Sequence, residues 1–190
     1  MDKSILRKTY LEKRLFLSKE VFQNRNTLLF TKIFATINFS TINTIHIFLP
    51  IKKFNEVNTW PVIQHIQREF QNVKIAIPKV EGEELSHFKF ESMDQLAISK
   101  WGIEEPSFGE RVSPKEIDLV FVPLTIADKK GHRIGYGKGY YDRFLAECKP
   151  EASKIGLSLL PVLDDISFLA NKFDIPLDRI ICPQKIYTIA

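Results

Sequence analysis

The chain has 190 residues, with 27 basic and 23 acidic side chains and 44% apolar residues, which is the composition of an ordinary globular protein. This length predicts a single domain over residues 1–190. No apolar run is long enough to cross a bilayer, and the basic N-terminus lacks the apolar core of a secretory signal. The only two cysteines, Cys148 and Cys182, argue against a disulfide framework or a structural zinc site. We therefore expect a cytoplasmic protein without a membrane partner.

The excess positive charge lies at the N-terminus. Residues 1–25 carry seven basic and three acidic side chains, whereas the other 165 residues carry 20 of each sign. A surface that binds nucleic acid usually has a wider basic stripe with interleaved aromatic residues. A local basic helix suits a small polyanion, such as the phosphates of a nucleotide, at least as well. We therefore predict no nucleic-acid partner.

Hydrophobic periodicity predicts helices that alternate with strands. Helices are expected at 5–15, after Ser18, from Thr59 to Phe70 and at 141–148. Strands are predicted at 44–50, 73–78, 86–91, 117–123, 154–158, 178–183 and 185–189. The run 117–123 is typical of a central parallel strand, and 86–91 of an edge strand or hairpin arm. This order indicates an α/β fold with three layers, α/β/α, and a mainly parallel sheet, which binds ligands at the carboxyl ends of its strands.

The densest motif is the loop at 131–142, which holds four of the eight glycines. Glycines at alternate positions let a ligand approach the backbone closely. A helix that follows would direct its free N–H groups at an anion, and Arg133 and Lys138 would add positive charge. The spacing fits neither a Walker A loop nor a dinucleotide-binding motif. A tight surface turn is the alternative, but glycines, cations and an aspartate within a dozen residues favour a phosphate site.

The run PLTIADKKGHRIGYGKGYYDRFL at 123–145 resembles the signature of the 5-formyltetrahydrofolate cyclo-ligases, also called 5,10-methenyltetrahydrofolate synthetases. Four more elements resemble family motifs in the same order: KSILR at 3–7, IFLP with EVNT at 47–59, WGIEEP at 101–106 and FDIPLD at 173–178. The resemblance implies a Rossmann-like fold of the NagB/RpiA/CoA-transferase-like group. It also implies that ATP and Mg²⁺ drive the closure of 5-formyltetrahydrofolate to 5,10-methenyltetrahydrofolate, with release of ADP and phosphate.

The chemistry of this reaction explains why it would need ATP. A formamide oxygen is a poor leaving group, so its phosphorylation to an iminium phosphate would let N10 attack the formyl carbon. The work of the protein is then to position the reactants and to neutralise phosphate charge. No protein nucleophile is required, and Arg133 and Lys138 are the expected phosphate-stabilising residues.

The resemblance assigns residues to each part of the site. ATP binding would fall on Lys3, Ser4, Ile5, Leu6, Arg7, Arg133, Ile134, Gly135, Tyr136, Gly137, Lys138, Gly139, Tyr140 and Tyr141. Folate binding would fall on Leu49, Glu56, Trp101, Tyr136, Gly137, Lys138, Gly139 and Tyr140. Asp142 and Asp174 match the magnesium positions, and Mg²⁺ prefers such hard oxygen ligands. The chain departs from the family pattern at 51–55, which is a longer segment than in some members, at Phe173, where many have histidine, and at Tyr136, where some have arginine.

The charged residues also have purely structural interpretations. Lys3 and Arg7 lie four residues apart, so one helix face presents both, yet a solvated basic face would have the same spacing. Asp142 suits the first turn of a helix because it complements the helix dipole. Asp174 fits a loop or a helix cap. Each of these interpretations remains open at this point.

Three further residues carry similar alternatives. Glu56 could lie in an exposed loop, and Trp101 could anchor a loop rather than pack beside a pterin. His46 lies in an apolar strand and is interpreted as structural. The four histidines are dispersed along the chain and suggest no metal cluster.

Three rival functions deserve comparison with the cyclo-ligase hypothesis. A folate- or nucleotide-binding module without turnover would not need both a phosphate set and a metal set. An RNA-associated protein would bind through its basic terminus in a strongly salt-dependent way, which the local charge disfavours. An isomerase or transferase of the same broad fold stays open. We expect a monomer that acts on ATP and on 5-formyltetrahydrofolate, with or without a polyglutamate tail.

Overall fold

The computed structural model describes residues 2–99 and 102–189. Four α-helices lie in these ranges: α1 (Lys3–Leu15), α2 (Lys19–Thr36), α3 (Trp60–Glu69) and α4 (Tyr140–Glu147). The strands are β1 (Thr44–His46), β2 (Lys74–Glu81), β3 (Glu84–Lys89), β4 (Leu96–Ile98), β5 (Glu104–Pro106), β6 (Leu119–Pro123), β7 (Ile126–Ala127), β8 (Arg133–Ile134), β9 (Ser153–Leu157), β10 (Arg179–Ile181) and β11 (Ile186–Thr188). The predicted alternation of helices and strands is confirmed.

The main sheet has seven strands in the order β11-β10-β9-β6-β1-β2-β3. The four inner pairings, from β2 to β10, are parallel. The two edge pairings, β2 with β3 and β10 with β11, are antiparallel. The strand predicted at 117–123 is β6, which lies at the centre of the sheet, and the segment 86–91 falls on the edge strand β3. Both predictions are confirmed.

Alternate side chains of β6 point to opposite faces of the sheet, which is the geometry of any strand. Leu119 and Phe121 join a cluster with apolar residues of α2 and α3. Val120 and Val122 join a second cluster with Phe144 of α4. Because both faces are covered, β6 is apolar throughout. The three-layer α/β/α architecture and the mainly parallel sheet are confirmed.

Local polar residues set the helix starts. The Asp2 side chain accepts hydrogen bonds from the backbone N–H groups of Ser4 and Ile5, so it caps α1. Ser18 caps α2 in the predicted way. Thr59 precedes α3 but does not cap it, because its hydroxyl donates to the carbonyl of Phe48 instead. That bond ties α3 to the chain that leaves β1.

Two features of the sheet region differ from the sequence-based prediction. The strand predicted at 44–50 forms a ladder only over Thr44–His46, although the N–H of Ile47 still donates to the carbonyl of Ala76. Residues 47–50 are not part of a strand. The hairpins β4–β5 and β7–β8 are additional, because strands of two or three residues are too short to show a periodic pattern.

Candidate active site

A cavity of about 670 Å³ opens at the carboxyl ends of β1, β2 and β6. Its walls come from the segment that follows β1, from the glycine loop before α4, from the first two turns of α1 and from the loop that holds Asp174. This is the edge of a parallel sheet at which ligands are expected. Segments that are far apart in sequence therefore converge on one cavity.

One end of the cavity is built from charged side chains. The Nζ atom of Lys3 lies 2.6 Å from Oδ2 of Asp174. The Nε atom of Arg7 donates to the carbonyl of Gly135 at 2.7 Å. Gly137 has φ of 89°, and a Cβ atom there would lie 3.0 Å from the Arg7 guanidinium carbon. Glycine is therefore required where α1 and the loop pass so closely.

A second ion pair lies beside the first. Nη2 of Arg133 is 2.6 Å from Oδ1 of Asp142, and Arg133 also donates to the carbonyl of Ile175. Oδ1 of Asp142 accepts the N–H of Ile175 as well, at 3.1 Å. Burial lowers the pKa of Arg133, and the charges of Asp142 and Asp174 oppose that shift. Arg133 is thus paired with Asp142 and also stabilised by the charge of Asp174.

The two carboxylates have the donor chemistry that Mg²⁺ prefers. Within the described residues, the hydrogen bonds of Asp142 fall on Oδ1, which leaves Oδ2 for a cation in the cavity. Burial would raise the pKa of Asp174, but the hydrogen bond from Lys3 and the N–H of Asn171 outweigh it and lower the pKa. Asp174 is therefore ionised at neutral pH. Both side chains line the cavity and offer the hard oxygen ligands that Mg²⁺ prefers.

The opposite end of the cavity is buried. Glu56 is 3% exposed, which excludes its interpretation as an exposed loop residue. Its Oε1 accepts the Tyr136 hydroxyl at 2.5 Å, and its Oε2 accepts the N–H of Ile51 at 2.7 Å. Burial raises the pKa of Glu56, although these two hydrogen bonds and the charge of Arg14 oppose the shift. Leu49 and Phe54 form apolar walls beside it.

Comparison with known proteins agrees with this geometry. Residues 1–183 match the model of the 5-formyltetrahydrofolate cyclo-ligase family. The chain belongs to this family. It is 32% identical to the 5-formyltetrahydrofolate cyclo-ligase of Mycoplasma pneumoniae over 95% of this chain and 98% of that protein. It is 30% identical to the mouse protein of the same name, over 70% of this chain and 68% of that one.

The solved structures that resemble this chain are of proteins with the family's alternative name. The NMR structure of the Aquifex aeolicus 5,10-methenyltetrahydrofolate synthetase superposes with a TM-score of 0.85 at 32% identity, over all of this chain and 93% of that one. The Mycoplasma pneumoniae 5,10-methenyltetrahydrofolate synthetase gives a TM-score of 0.78 at 29% identity, over 97% of this chain and all of that one. This chain thus shares its fold with those proteins over nearly its whole length.

Most of the residues that the sequence assigned to the site line the cavity. They are Lys3, Arg7, Leu49, Glu56, Arg133, Ile134, Gly135, Tyr136, Gly137, Lys138, Gly139, Tyr140, Tyr141, Asp142 and Asp174. Three others in α1 do not line it. Ser4 bonds the Asp2 cap, Ile5 is exposed, and Leu6 packs against a small apolar cluster behind the loop. Trp101 lies outside the described residues.

The sequence analysis missed two residues that lie at the buried end of the cavity or support it. Arg14 is buried, and its Nη2 donates to the Tyr136 hydroxyl at 2.7 Å. The ring of Phe54 stacks on the Tyr136 ring, with centroids 5.2 Å apart. A signal for Arg14 was available, because it lies seven residues after Arg7 and therefore on the same face of α1. For Phe54 the only signal was its place in the longer segment 51–55.

Outside the cavity, Asp128, His132 and Asp165 place their ligand atoms within 4.8 Å of one another. The Asp128 carboxylate already accepts the N–H groups of Lys130, His132 and Ile166 and contacts the His132 ring at 3.0 Å. These bonds stabilise the loop before β8.

None of the helices within residues 2–99 and 102–189 combines the length and the apolarity that a bilayer crossing requires.

The histidine interpreted as structural is fully buried in the core. His46 packs against His87 and Phe144, with ring centroids 5.0 and 4.6 Å away. Burial, and then the neighbouring His87, lowers the pKa of His46 well below its ordinary value. A neutral ring in this position agrees with a structural role.

Proposed function

We propose that this protein converts 5-formyltetrahydrofolate into 5,10-methenyltetrahydrofolate, and that it consumes ATP as a co-substrate and binds Mg²⁺ as a cofactor. One observation carries the proposal. A single cavity joins a cationic end next to two carboxylates with a buried end that holds Glu56. A nucleotide and a folate can meet inside it, as a phosphoryl transfer between them requires.

The reaction balances without a covalent protein intermediate. The formyl oxygen attacks the γ-phosphorus of ATP, the bond to ADP breaks, and an iminium phosphate forms. N10 then attacks the formyl carbon and loses its proton, and the C–O bond breaks as inorganic phosphate leaves. The product is the methenyl bridge between N5 and N10. The protein must therefore hold the two substrates in line and compensate the phosphate charge.

The cationic end would bind the triphosphate. Lys3 and Arg7 from α1 and Lys138 and Arg133 from the loop surround the space between α1 and α4. A triphosphate would take over Lys3 from Asp174, since a phosphate is the more highly charged partner. Asp174 would keep its hydrogen bonds from the backbone N–H and the side-chain amide of Asn171. Together with Asp142 it would hold Mg²⁺, which would neutralise phosphate charge during the transfer.

The buried end would bind the pterin ring. Each carboxylate oxygen of Glu56 has one hydrogen bond from the protein, so further lone pairs remain for N–H groups of the ring. Leu49 and the rings of Tyr136 and Tyr140 offer apolar surface to its faces. A pterin bound in this way would have the formyl group at N5 facing the cationic end.

A spectrophotometric assay tests the proposal. Purified protein is mixed with 5-formyltetrahydrofolate, ATP and Mg²⁺, and the near-ultraviolet band of the methenyl product is followed. We expect the band to grow only when both ATP and Mg²⁺ are present. A flat trace with folate binding still measurable by titration would instead support a folate-binding module without turnover. Sedimentation of the same sample tests the expected monomer.

A further inference from the structure

Arg14 is a buried cation that reaches three separate segments of the site. Its Nε donates to the carbonyl of Phe54 at 2.8 Å, and its Nη1 donates to the carbonyl of Leu124 at 3.0 Å. Its Nη2 donates to the Tyr136 hydroxyl at 2.7 Å. The side chain is 3% exposed. Such a guanidinium is held in one orientation, because each of its three bonds fixes a different direction.

The Tyr136 hydroxyl joins this cation to a carboxylate. It lies 2.5 Å from Oε1 of Glu56. A guanidinium can only donate, so the hydroxyl accepts from Arg14 and must use its single proton towards Glu56. The direction of the chain is therefore fixed as Arg14 to Tyr136 to Glu56. Both bonds involve a charged group, and such bonds are stronger than neutral ones.

We propose that Arg14 is a positioning residue for folate binding, which acts on Glu56 through the hydroxyl of Tyr136. The proposal rests on the folate role proposed for Glu56. Oε1 is held by Tyr136 and Oε2 by the N–H of Ile51, so the plane of the carboxylate is defined from both sides. The remaining lone pairs then face the ligand in one geometry before it arrives. Pre-organisation of this kind raises affinity because less ordering is needed on binding.

The charge of Arg14 also favours the ionised form of Glu56. Burial raises the pKa of Glu56, and Arg14 is the cation that opposes this shift. The other titratable groups that face Glu56 are the hydroxyls of Tyr136 and Tyr141. The same cavity wall also carries Lys53, Glu104 and Glu105. Loss of Arg14 removes a positive charge from this set, so Glu56 would take up a proton at a higher pH.

Helix α1 thereby serves both ends of the cavity. Lys3 and Arg7 lie at the cationic end, whereas Arg14, two turns further along the same face, supports the buried end. Changes at Arg14 should therefore separate folate binding from ATP binding. A residue that merely stabilised the helix would affect both ligands.

The test compares Arg14→Met, Tyr136→Phe and the double variant with the wild-type protein. Arg25→Met is the control. Arg25 also donates from a helix to a backbone carbonyl, that of Leu159, but it has no bond to the hydrogen-bonded series Arg14–Tyr136–Glu56. Two measurements are made on each protein. Carbon-13 NMR follows the titration of the Glu56 carboxyl without ligand, and equilibrium titrations give the Kd values for 5-formyltetrahydrofolate and for ATP.

We expect the Glu56 titration to move to higher pH in Arg14→Met and the folate Kd to rise about tenfold in both single variants. The double variant should be no weaker than the weaker single one, because both changes break the same chain. The ATP Kd should stay within about twofold, and the control should leave both ligands unaffected. Tyr136→Phe keeps two of the three Arg14 bonds, so it tests the chain even if Arg14→Met does not fold.

Three results would overturn the proposal: an unchanged Glu56 titration in Arg14→Met, equal losses of folate and ATP binding, or single effects that multiply in the double variant. The proposed function fails separately, if the wild-type protein binds no folate. In that case the ligand-free titration still reports whether Arg14 acts on Glu56.

Discussion

The two ends of the cavity hold their charges in different ways. At the cationic end, the side chains of Lys3 and Asp174 are 30% and 21% exposed and form a direct ion pair. At the buried end, Arg14 and Glu56 are each 3% exposed, and a tyrosine hydroxyl stands between them. Partly exposed charges can exchange a protein partner for a ligand, whereas buried charges keep one geometry because leaving either unpaired is costly. The difference suits a polyanion that comes and goes at one end and a ring that is recognised at the other.

The largest effect is expected at the carboxylates of the cationic end. Asp142→Asn keeps an oxygen for Arg133 and for the N–H of Ile175 but loses the charge that a magnesium ion needs. We expect turnover to fall by roughly 10³-fold, about 4 kcal/mol of transition-state stabilisation. Steady-state rates across a magnesium titration measure this loss. Asp164→Asn, at a carboxylate that is 90% exposed and pairs with Lys129, is the matched control. Near-normal magnesium-dependent turnover in Asp142→Asn would contradict the metal assignment.

Arg7 distinguishes the two ends by ligand. Arg7→Met removes a guanidinium from the proposed triphosphate site while it keeps the helix propensity of the position. The apparent KM for ATP should rise about 10- to 100-fold, and that for 5-formyltetrahydrofolate should change less than about twofold. Lys8→Met, at the exposed neighbouring position, is the control. A larger rise in the KM for folate than in the KM for ATP would contradict the assignment of Arg7 to ATP binding.

Glu56 sharpens the comparison through pH. Glu56→Gln should weaken folate binding about tenfold and leave ATP binding unchanged. Because burial raises the pKa of Glu56, the wild-type carboxylate is neutralised as pH falls through a value above the ordinary 4.5. Folate affinity should therefore decrease as pH falls through that window in the wild-type protein. Titrations at several pH values should find this component absent in Glu56→Gln. An identical pH profile in the two proteins would contradict the role of Glu56.

The smallest effect is expected from salt. Exposed charges are screened at moderate ionic strength, and buried ones much less. An increase in NaCl from about 50 to about 300 mM should weaken ATP binding about threefold and leave folate binding nearly constant. Calorimetric titrations with each ligand measure both. Equal salt dependence for the two ligands would remove the distinction between the ends.

Local patterns in the sequence predicted most of the fold, because the strands that build the sheet are β-branched runs and the helices have caps or apolar stripes. The glycine loop was also predictable, since its composition is unusual in itself. The helical spacing indicates that Arg14 lies on the same face of α1 as Arg7, but its contacts were not predictable, because its partners Leu124 and Tyr136 lie more than 100 positions away. The Lys3–Asp174 pair was not predictable for the same reason, since it also joins residues that are far apart in sequence. The family motifs indicated both residues but not the contact between them. Contacts between side chains that are distant in sequence depend on how the chain packs, and they produce no periodic pattern in the sequence.

The ion pair between Lys3 and Asp174 has a consequence for how the protein is made. It joins residues that are 171 positions apart. A helix of 13 residues such as α1 is marginal in water on its own, so it gains its stability from the loop and strands that it packs against. Some of those partners, such as Phe54, are made early, but Ile134, Ile166 and the loop of Asp174 are made in the last third of synthesis. During synthesis α1 therefore cannot complete its packing until nearly the whole chain has been made. A nascent chain that ends before the Asp174 loop lacks β10 and β11 as well as the carboxylate that pairs with Lys3.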